Sequence, residues 1–181
     1  MQITENLTHH FLIAMPTLED TFFSKSVVYI YEHSAEGALG VVINKSLQIT
    51  LENLLQHLEI EISEKSIVDL PVLSGGPVSP EQGFVLHDRL EAADTDVAIT
   101  SSKEMLVDIA EGRGPKHYIV VLGYSGWDAG QLEEEINRND WLITPFDPTL
   151  LFETPMEKRW QEAAKLIGID INRLSGHTGR A

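Results

Sequence analysis

The side chains in this chain that could do chemistry fall into two groups. His33, His87, Asp88 and Ser125 form a candidate polar rim, and Tyr124, Trp127 and Gln131 form a candidate binding surface. The most suggestive stretch is Gly123-Tyr124-Ser125-Gly126-Trp127, which follows the apolar run 119–122. A hydrolase nucleophile elbow needs Gly-x-Ser-x-Gly, so that small residues let a sharp turn expose the hydroxyl. Here the second glycine comes one place early and Trp127 stands in its position. Serine hydrolysis also needs a histidine oriented by an acid. His33, His87 and His117 each lie at the boundary of an expected strand, with Glu32 and Asp88 beside two of them. Spacing leaves open whether these groups converge. If they do, they could serve acid–base work or weak metal binding. No His-x-x-x-His or His-Glu-x-x-His spacing is present, so no catalytic residue, metal or cofactor is assigned.

Other motifs have simpler readings. Ser74-Gly75-Gly76-Pro77-Val78 offers backbone N–H groups to an anion but lacks the P-loop lysine, and Pro77 removes a donor; a rigid turn suits it better. Glu133, Glu134 and Glu135 diverge around a helix and, near its start, favour the dipole. Tyr124 and Trp127 must either fill a gap in the core or meet a partner.

The elements that would position these groups follow from periodicity and punctuation. Residues 27–31 and 39–43 read as strands, joined by a link of hairpin length and therefore antiparallel. Thr50 caps a helix carrying Leu51, Leu54, Leu55 and Leu58 on one face. Residues 84–86 form a short strand ending at His87 and Asp88, and 97–99 form another. Ser101 and Glu104 have capping-box spacing ahead of a helix that stops at Gly112. The strand 118–122 is apolar throughout, as expected for burial on both faces; a tight glycine turn and a helix capped by Asp128 follow it. Residues 141–144 read as a strand and 150–152 as an edge strand behind Pro148. Thr154, Pro155 and Glu157 open a final helix ended by Gly168, and 175–181 read as a mobile tail. The expectation is one α+β domain over 1–181 with a curved mixed sheet.

Composition limits the function. With 28 acidic and 13 basic residues the net charge is -15, which opposes sequence-independent binding to nucleic-acid phosphates. A basic face of Lys158, Arg159, Lys165 and Arg173 is the one route to direct DNA binding, and Glu157, Glu162 and Asp170 interrupt it. The absence of cysteine excludes thiol nucleophiles and thiolate metal sites and fits a reducing compartment. No signal-like start and no apolar run of roughly 20 residues is present, so the expected location is the cytoplasm, away from the membrane.

Several motifs, in this order, carry a family resemblance. They are Phe11-Leu12-Ile13-Ala14-Met15-Pro16, Phe22 with Ser26-Val27-Val28-Tyr29, Glu32-His33, and Gly37-Ala38-Leu39-Gly40-Val41-Val42-Ile43-Asn44. Gly75-Gly76-Pro77-Val78, Leu86-His87, Gly123-Tyr124-Ser125-Gly126-Trp127, Gly130-Gln131-Leu132-Glu133, Glu135-Ile136 and Trp141 complete them. On these marks the chain resembles the AlgH/YqgE family of bacterial proteins over nearly its entire length. The resemblance implies a bifurcated sheet closing into a partial barrel with helices packed outside, and an association with transcriptional regulation of exopolysaccharide production. It supplies no catalytic residues, and family members often carry alanine where this chain has Ser125. The combined expectation is a non-enzymatic regulatory or protein-binding domain, with a protein partner or self-association. A hydrolase or small-ligand enzyme using the rim is the alternative, and a DNA-binding regulator is the third reading.

Overall fold

The computed structural model of the chain describes residues 5–89 and 97–174. The expected tail at 175–181 lies outside the described residues. The strands are β1 (His10–Ala14), β2 (Val27–Ser34), β3 (Gly37–Val42), β4 (Ser46–Thr50), β5 (Pro71–Ser74), β6 (Val78–Asp88), β7 (Val97–Thr100), β8 (Tyr118–Asp128) and β9 (Trp141–Pro145). The helices are α1 (Leu51–His57), α2 (Lys103–Ala110), α3 (Gln131–Asn137), α4 (Pro148–Phe152), α5 (Arg159–Lys165) and α6 (Ile171–Leu174).

The strands form one mixed sheet in the order β4-β5-β8-β3-β2-β1-β9, with β6 also on β8 and β7 on β6. The α+β class therefore stands, but the expected closure into a partial barrel does not. Closing a sheet requires its end strands to pair in a staggered register. Here β4, β7 and β9 each have a single strand neighbour among the described residues, and the sheet stays open. Its branch point is β8. Val120, Val121 and Leu122 run parallel to Val72, Leu73 and Ser74 of β5, whereas Ser125 to Asp128 pair antiparallel with Gly40 to Gly37 of β3.

Helices cover both faces, which explains the unbroken apolar runs. Phe11 and Ile13 face a core closed by Leu150, Leu151, Ala163 and Ala164, while Leu12 and Ala14 face another containing Trp127, Leu132 and Trp141. Likewise Val121 belongs to the first core and Val120 to a third, built on α1 and α2. The β2–β3 hairpin and the Thr50 cap form as expected. The α2 cap is Ser102 rather than Ser101, one residue later than the capping-box spacing indicated. Residues 150–152 are helical, not an edge strand: Asp147 accepts the Leu150 N–H and Pro148 occupies the first turn, where its missing donor costs nothing. The final helix also starts later than Thr154, after a 3-10 turn at Met156–Lys158.

Candidate functional site

The expected strand and glycine turn around Ser125 are in fact a single eleven-residue strand, Tyr118–Asp128, and the expected helix follows it as α3. Gly123, at φ +77°, kinks it without ending it. The kink occurs where the backbone of the Gly75-Gly76 turn crosses β8: a Cβ on Gly123 would lie 2.5 Å from the Gly76 carbonyl oxygen. Ser125 lies beyond this crossing, fully buried, and its hydroxyl donates to the Gly75 carbonyl at 3.1 Å. A nucleophile elbow would present that hydroxyl to solvent; the pairing of Ser125 with Gly40 of β3 turns it inward instead. Asp128 is the last residue of β8, and α3 is capped by Gly130 in the left-handed conformation without a side-chain bond.

Trp127 is 7% exposed and Trp141 3%. Both indole N–H groups donate to one oxygen, Oε2 of Glu135, at 2.9 and 2.8 Å. Gln131 is exposed, but its amide is committed: Oε1 accepts the Asp128 N–H at 3.0 Å and Nε2 donates to Glu135 Oε1 at 3.0 Å. Tyr124 is half-buried, edge-on to Phe84. The candidate binding surface therefore resolves into a buried indole, its supporting amide and one accessible phenol. Nearby Tyr31 has its hydroxyl pushed up to about 12 by burial, with Tyr124 and Glu32 adding to the effect.

His33 is also buried, at 8% exposure. The Leu7 N–H donates to its Nδ1 at 2.9 Å, which requires that nitrogen to be bare and places the ring proton on Nε2. That proton reaches Glu133 Oε1 at 2.6 Å. Burial pushes the Glu133 carboxyl up, but the hydrogen bonds from His33 and a backbone N–H outweigh it and hold the group below its ordinary range. Glu133 and Glu135 thus act on different neighbours, since two helix positions are about 200° of turn. The acidic run signalled this divergence, but nothing in it named His33 or the tryptophans as the receivers.

His87 and Asp88 lie elsewhere. His33 pairs with Ala38, and Ala38 with Trp127, whereas His87 pairs with Tyr118. Nine residues of strand, about 30 Å when extended, separate those two registers. The four-residue rim is therefore not assembled. His87 binds the Asp88 carbonyl at 2.9 Å and Thr100 Oγ1 at 2.8 Å. Asp88 Oδ2 instead meets His117 Nδ1 at 2.9 Å, and Asp88 Oδ1 is buried without a partner among the described residues. His87 and Asp88 border a cleft of about 410 Å³ with Met105, Asp108 and Arg113. Among the described residues no group of three or more His, Asp or Glu side chains is arranged to hold a metal.

A second cleft, about 310 Å³, opens between the β5–β8 pair and the segment leading into α5. Leu51, Leu70, Leu73, Phe152 and Met156 make its apolar walls, with Tyr118, Glu153 and Arg159 as polar members. Arg159 is 7% exposed, so the expected basic face loses its central member to the interior. Lys165 and Arg173 are paired with Glu162 at 2.7 Å and Asp170 at 3.4 Å. The Arg159 Nε donates to the Thr154 carbonyl at 3.2 Å and Nη1 to the Ile43 carbonyl. It forms no ion pair among the described residues. Burial pushes the guanidinium down to about 10, partly offset by Glu157, so it remains a cation at neutral pH. Sequence reading missed this role because a basic residue beside Lys158 reads as surface charge; the signal available was its i,i+4 spacing to the buried Ala163.

Comparison with known proteins gives a consistent result. The AlgH-like family profile matches residues 11–172. A UPF0301 protein of Coxiella burnetii is 51% identical over 178 residues, covering 98% of both chains, and one from Nitrosococcus oceani is 44% identical over 96% of both. The solution structure of the AlgH protein from Pseudomonas aeruginosa superposes with a TM-score of 0.77 at 37% identity, covering 100% of this chain and 99% of that one. A Corynebacterium diphtheriae protein at 19% identity and TM-score 0.74, covering 97% and 94%, shares the fold. None of these relatives carries a reaction in its name.

Proposed function

The chain belongs to the AlgH-like family of bacterial proteins, and on that premise we propose that it is a non-catalytic cytoplasmic domain with a regulatory role, acting by binding a protein partner. One observation carries this reading: the serine and two of the three histidines considered for chemistry have their reactive atoms engaged in structural bonds. Ser125 is bonded to Gly75, His33 to Leu7 and Glu133, and His87 to Asp88 and Thr100. A general base or nucleophile needs an atom within hydrogen-bond reach of a bound substrate. No helix among the described residues is long and apolar enough to cross a membrane. The acidic charge and the paired Lys165 and Arg173 weigh against direct DNA binding.

The test joins two arms. The purified protein is screened with a serine-reactive fluorophosphonate and chromogenic carboxylic and phosphoric esters, with no labelling and no turnover expected. Tagged protein is then used to capture partners from its native cell extract after nuclease treatment, at physiological and raised salt. The expected result is a defined protein that rebinds in purified form, with exposed Gln131 and half-buried Tyr124 as the first positions to vary. Turnover, or recovery only through nucleic acid, would overturn the proposal.

A second reading rests on the Asp88–His117 pair. A histidine with its Nδ1 held by a carboxylate presents Nε2 as an acid or base. If the ester screen shows turnover that His117→Ala abolishes while the fold is kept, this enzymatic reading replaces the first.

A further inference from the structure

We infer that the cleft between the β5–β8 pair and the start of α5 is a binding site for a small monoanionic carboxylate with a compact apolar body, its carboxylate received by Arg159. Three observations lead there, none dependent on the protein-binding role proposed above.

The first is an electrostatic imbalance. Arg159 is more than nine-tenths buried and stays charged, yet its hydrogen-bond partners among the described residues are two neutral carbonyls. Buried charges are ordinarily paired, because desolvation of an unpaired ion is costly. A guanidinium has five N–H donors, and the bonds to Thr154 and Ile43 use two of them. Tying α5 to the end of β3 through Ile43, and to the segment before α5 through Thr154, would account for those two bonds. It leaves the charge and the remaining donors unexplained, and Arg159 lies in the wall of an open cavity.

The second is size and lining. The cleft holds about 310 Å³, roughly twice the engineered cavity of about 150 Å³ that takes up benzene. Leu51, Leu70, Leu73, Phe152 and Met156 line it, giving an apolar chamber with a cation in its wall, the common design of a site for an amphipathic acid. Tyr118 contributes a second polar group to the same wall, and burial keeps its hydroxyl protonated beyond its ordinary range, so it remains a donor.

The third is selection by charge. Glu153 lies in the lining, Glu157 is close enough to act on Arg159, and the whole chain carries -15. A dianion such as a phosphate monoester would meet this field twice over. A single carboxylate satisfies the guanidinium at less electrostatic cost.

The experiment uses 3-phenylpropionate, with its amide as a neutral isostere, titrated into the full chain and followed by amide-resolved NMR. The acid should saturate with a Kd of about 1 mM or tighter. Its shifts should centre on Leu70, Tyr118, Phe152, Thr154 and Arg159, and the amide should bind at least about tenfold more weakly because it cannot pair with the guanidinium. Glu153→Gln, on an exposed side chain, should tighten binding of the acid by about two- to threefold and leave the amide unchanged. Arg159→Lys should weaken the acid; if that variant does not fold, the acid-to-amide comparison and Glu153→Gln decide the matter on folded protein. No saturable binding of the acid, equal binding of acid and amide, or shifts confined to another surface would each overturn the inference.

Discussion

Replacing Glu135 tests whether one carboxylate oxygen fastens the C-terminal half of β8 to β9. Glu135 Oε2 accepts from Trp127 Nε1 at 2.9 Å and from Trp141 Nε1 at 2.8 Å, and both indoles are more than nine-tenths buried. Glu135→Ala strands both donors. Leaving a buried donor unsatisfied costs about 1–3 kcal/mol, and the vacated space at a half-buried residue lets water repair part of the loss, so about 2–4 kcal/mol is expected in total. Glu135→Gln keeps an acceptor oxygen but removes the charge that strengthens both bonds, and about 1–2 kcal/mol is expected. For a chain of 181 residues the alanine variant should melt about 4–16 °C lower. Urea unfolding followed by tryptophan emission suits the question, because two of the three tryptophans are the groups perturbed; far-ultraviolet circular dichroism provides the second probe. The double variant Glu135→Ala, Trp127→Phe should recover part of the loss by removing one stranded donor. An alanine variant within about 0.5 kcal/mol of the parent would refute the reasoning, as would a glutamine variant no better than alanine.

Other perturbations follow from the same structure. The folded-state pKa of Glu133 is lowered, so its contribution is present above the ordinary carboxylate value of 4.5 and is lost as pH falls through the folded value. Glu133→Gln should therefore be less stable than the parent at pH 7, with the gap closing below about pH 4.5 in denaturant titrations across pH; a gap that widened in acid would contradict this. Gly76→Ala puts a Cβ inside the van der Waals radius of the Tyr124 carbonyl, and backbone cannot yield as a side-chain tip would. A loss above about 3 kcal/mol or failure to fold is expected on expression and melting. Ser125→Ala should cost only about 0.5–1.5 kcal/mol, because the Gly75 carbonyl still accepts the Val42 N–H at 2.9 Å; a far larger loss in urea would show that the hydroxyl does more than this. In ultraviolet titration Tyr31 should ionise near 12, and Tyr31→Phe should remove that late step; a titration complete by pH 10.5 would contradict its burial.

Local chemistry made much of the fold legible. The continuous apolar run at 119–122 indicated a strand covered on both faces, and its alternate residues do enter different cores. Thr50 capped its helix because capping depends on residues three apart, which sequence displays directly. The misread elements were those where a local signal met a tertiary constraint. Gly123 and Gly126 suggested a turn, yet pairing with β6 on one side of the kink and β3 on the other keeps residues 118–128 extended. Leu150 to Phe152 favoured a strand by type, but the cap from Asp147 and burial against α5 make a helix.

The amino-acid sequence by itself determined the family, the α+β class, the acidic charge and the lack of thiol chemistry, because these are properties of composition and of ordered local motifs. It also determined where the glycines and carboxylates stand. Only the tertiary structure decided what they meet. Glu133 reaches His33 across 100 positions, Ser125 reaches Gly75 across 50, and Arg159 reaches Ile43 across 116. Such partners are set by strand order, and strand order follows from how both faces of an open, branched sheet are covered. That is a global packing solution, in which each contact depends on all the others and no window of sequence contains the answer.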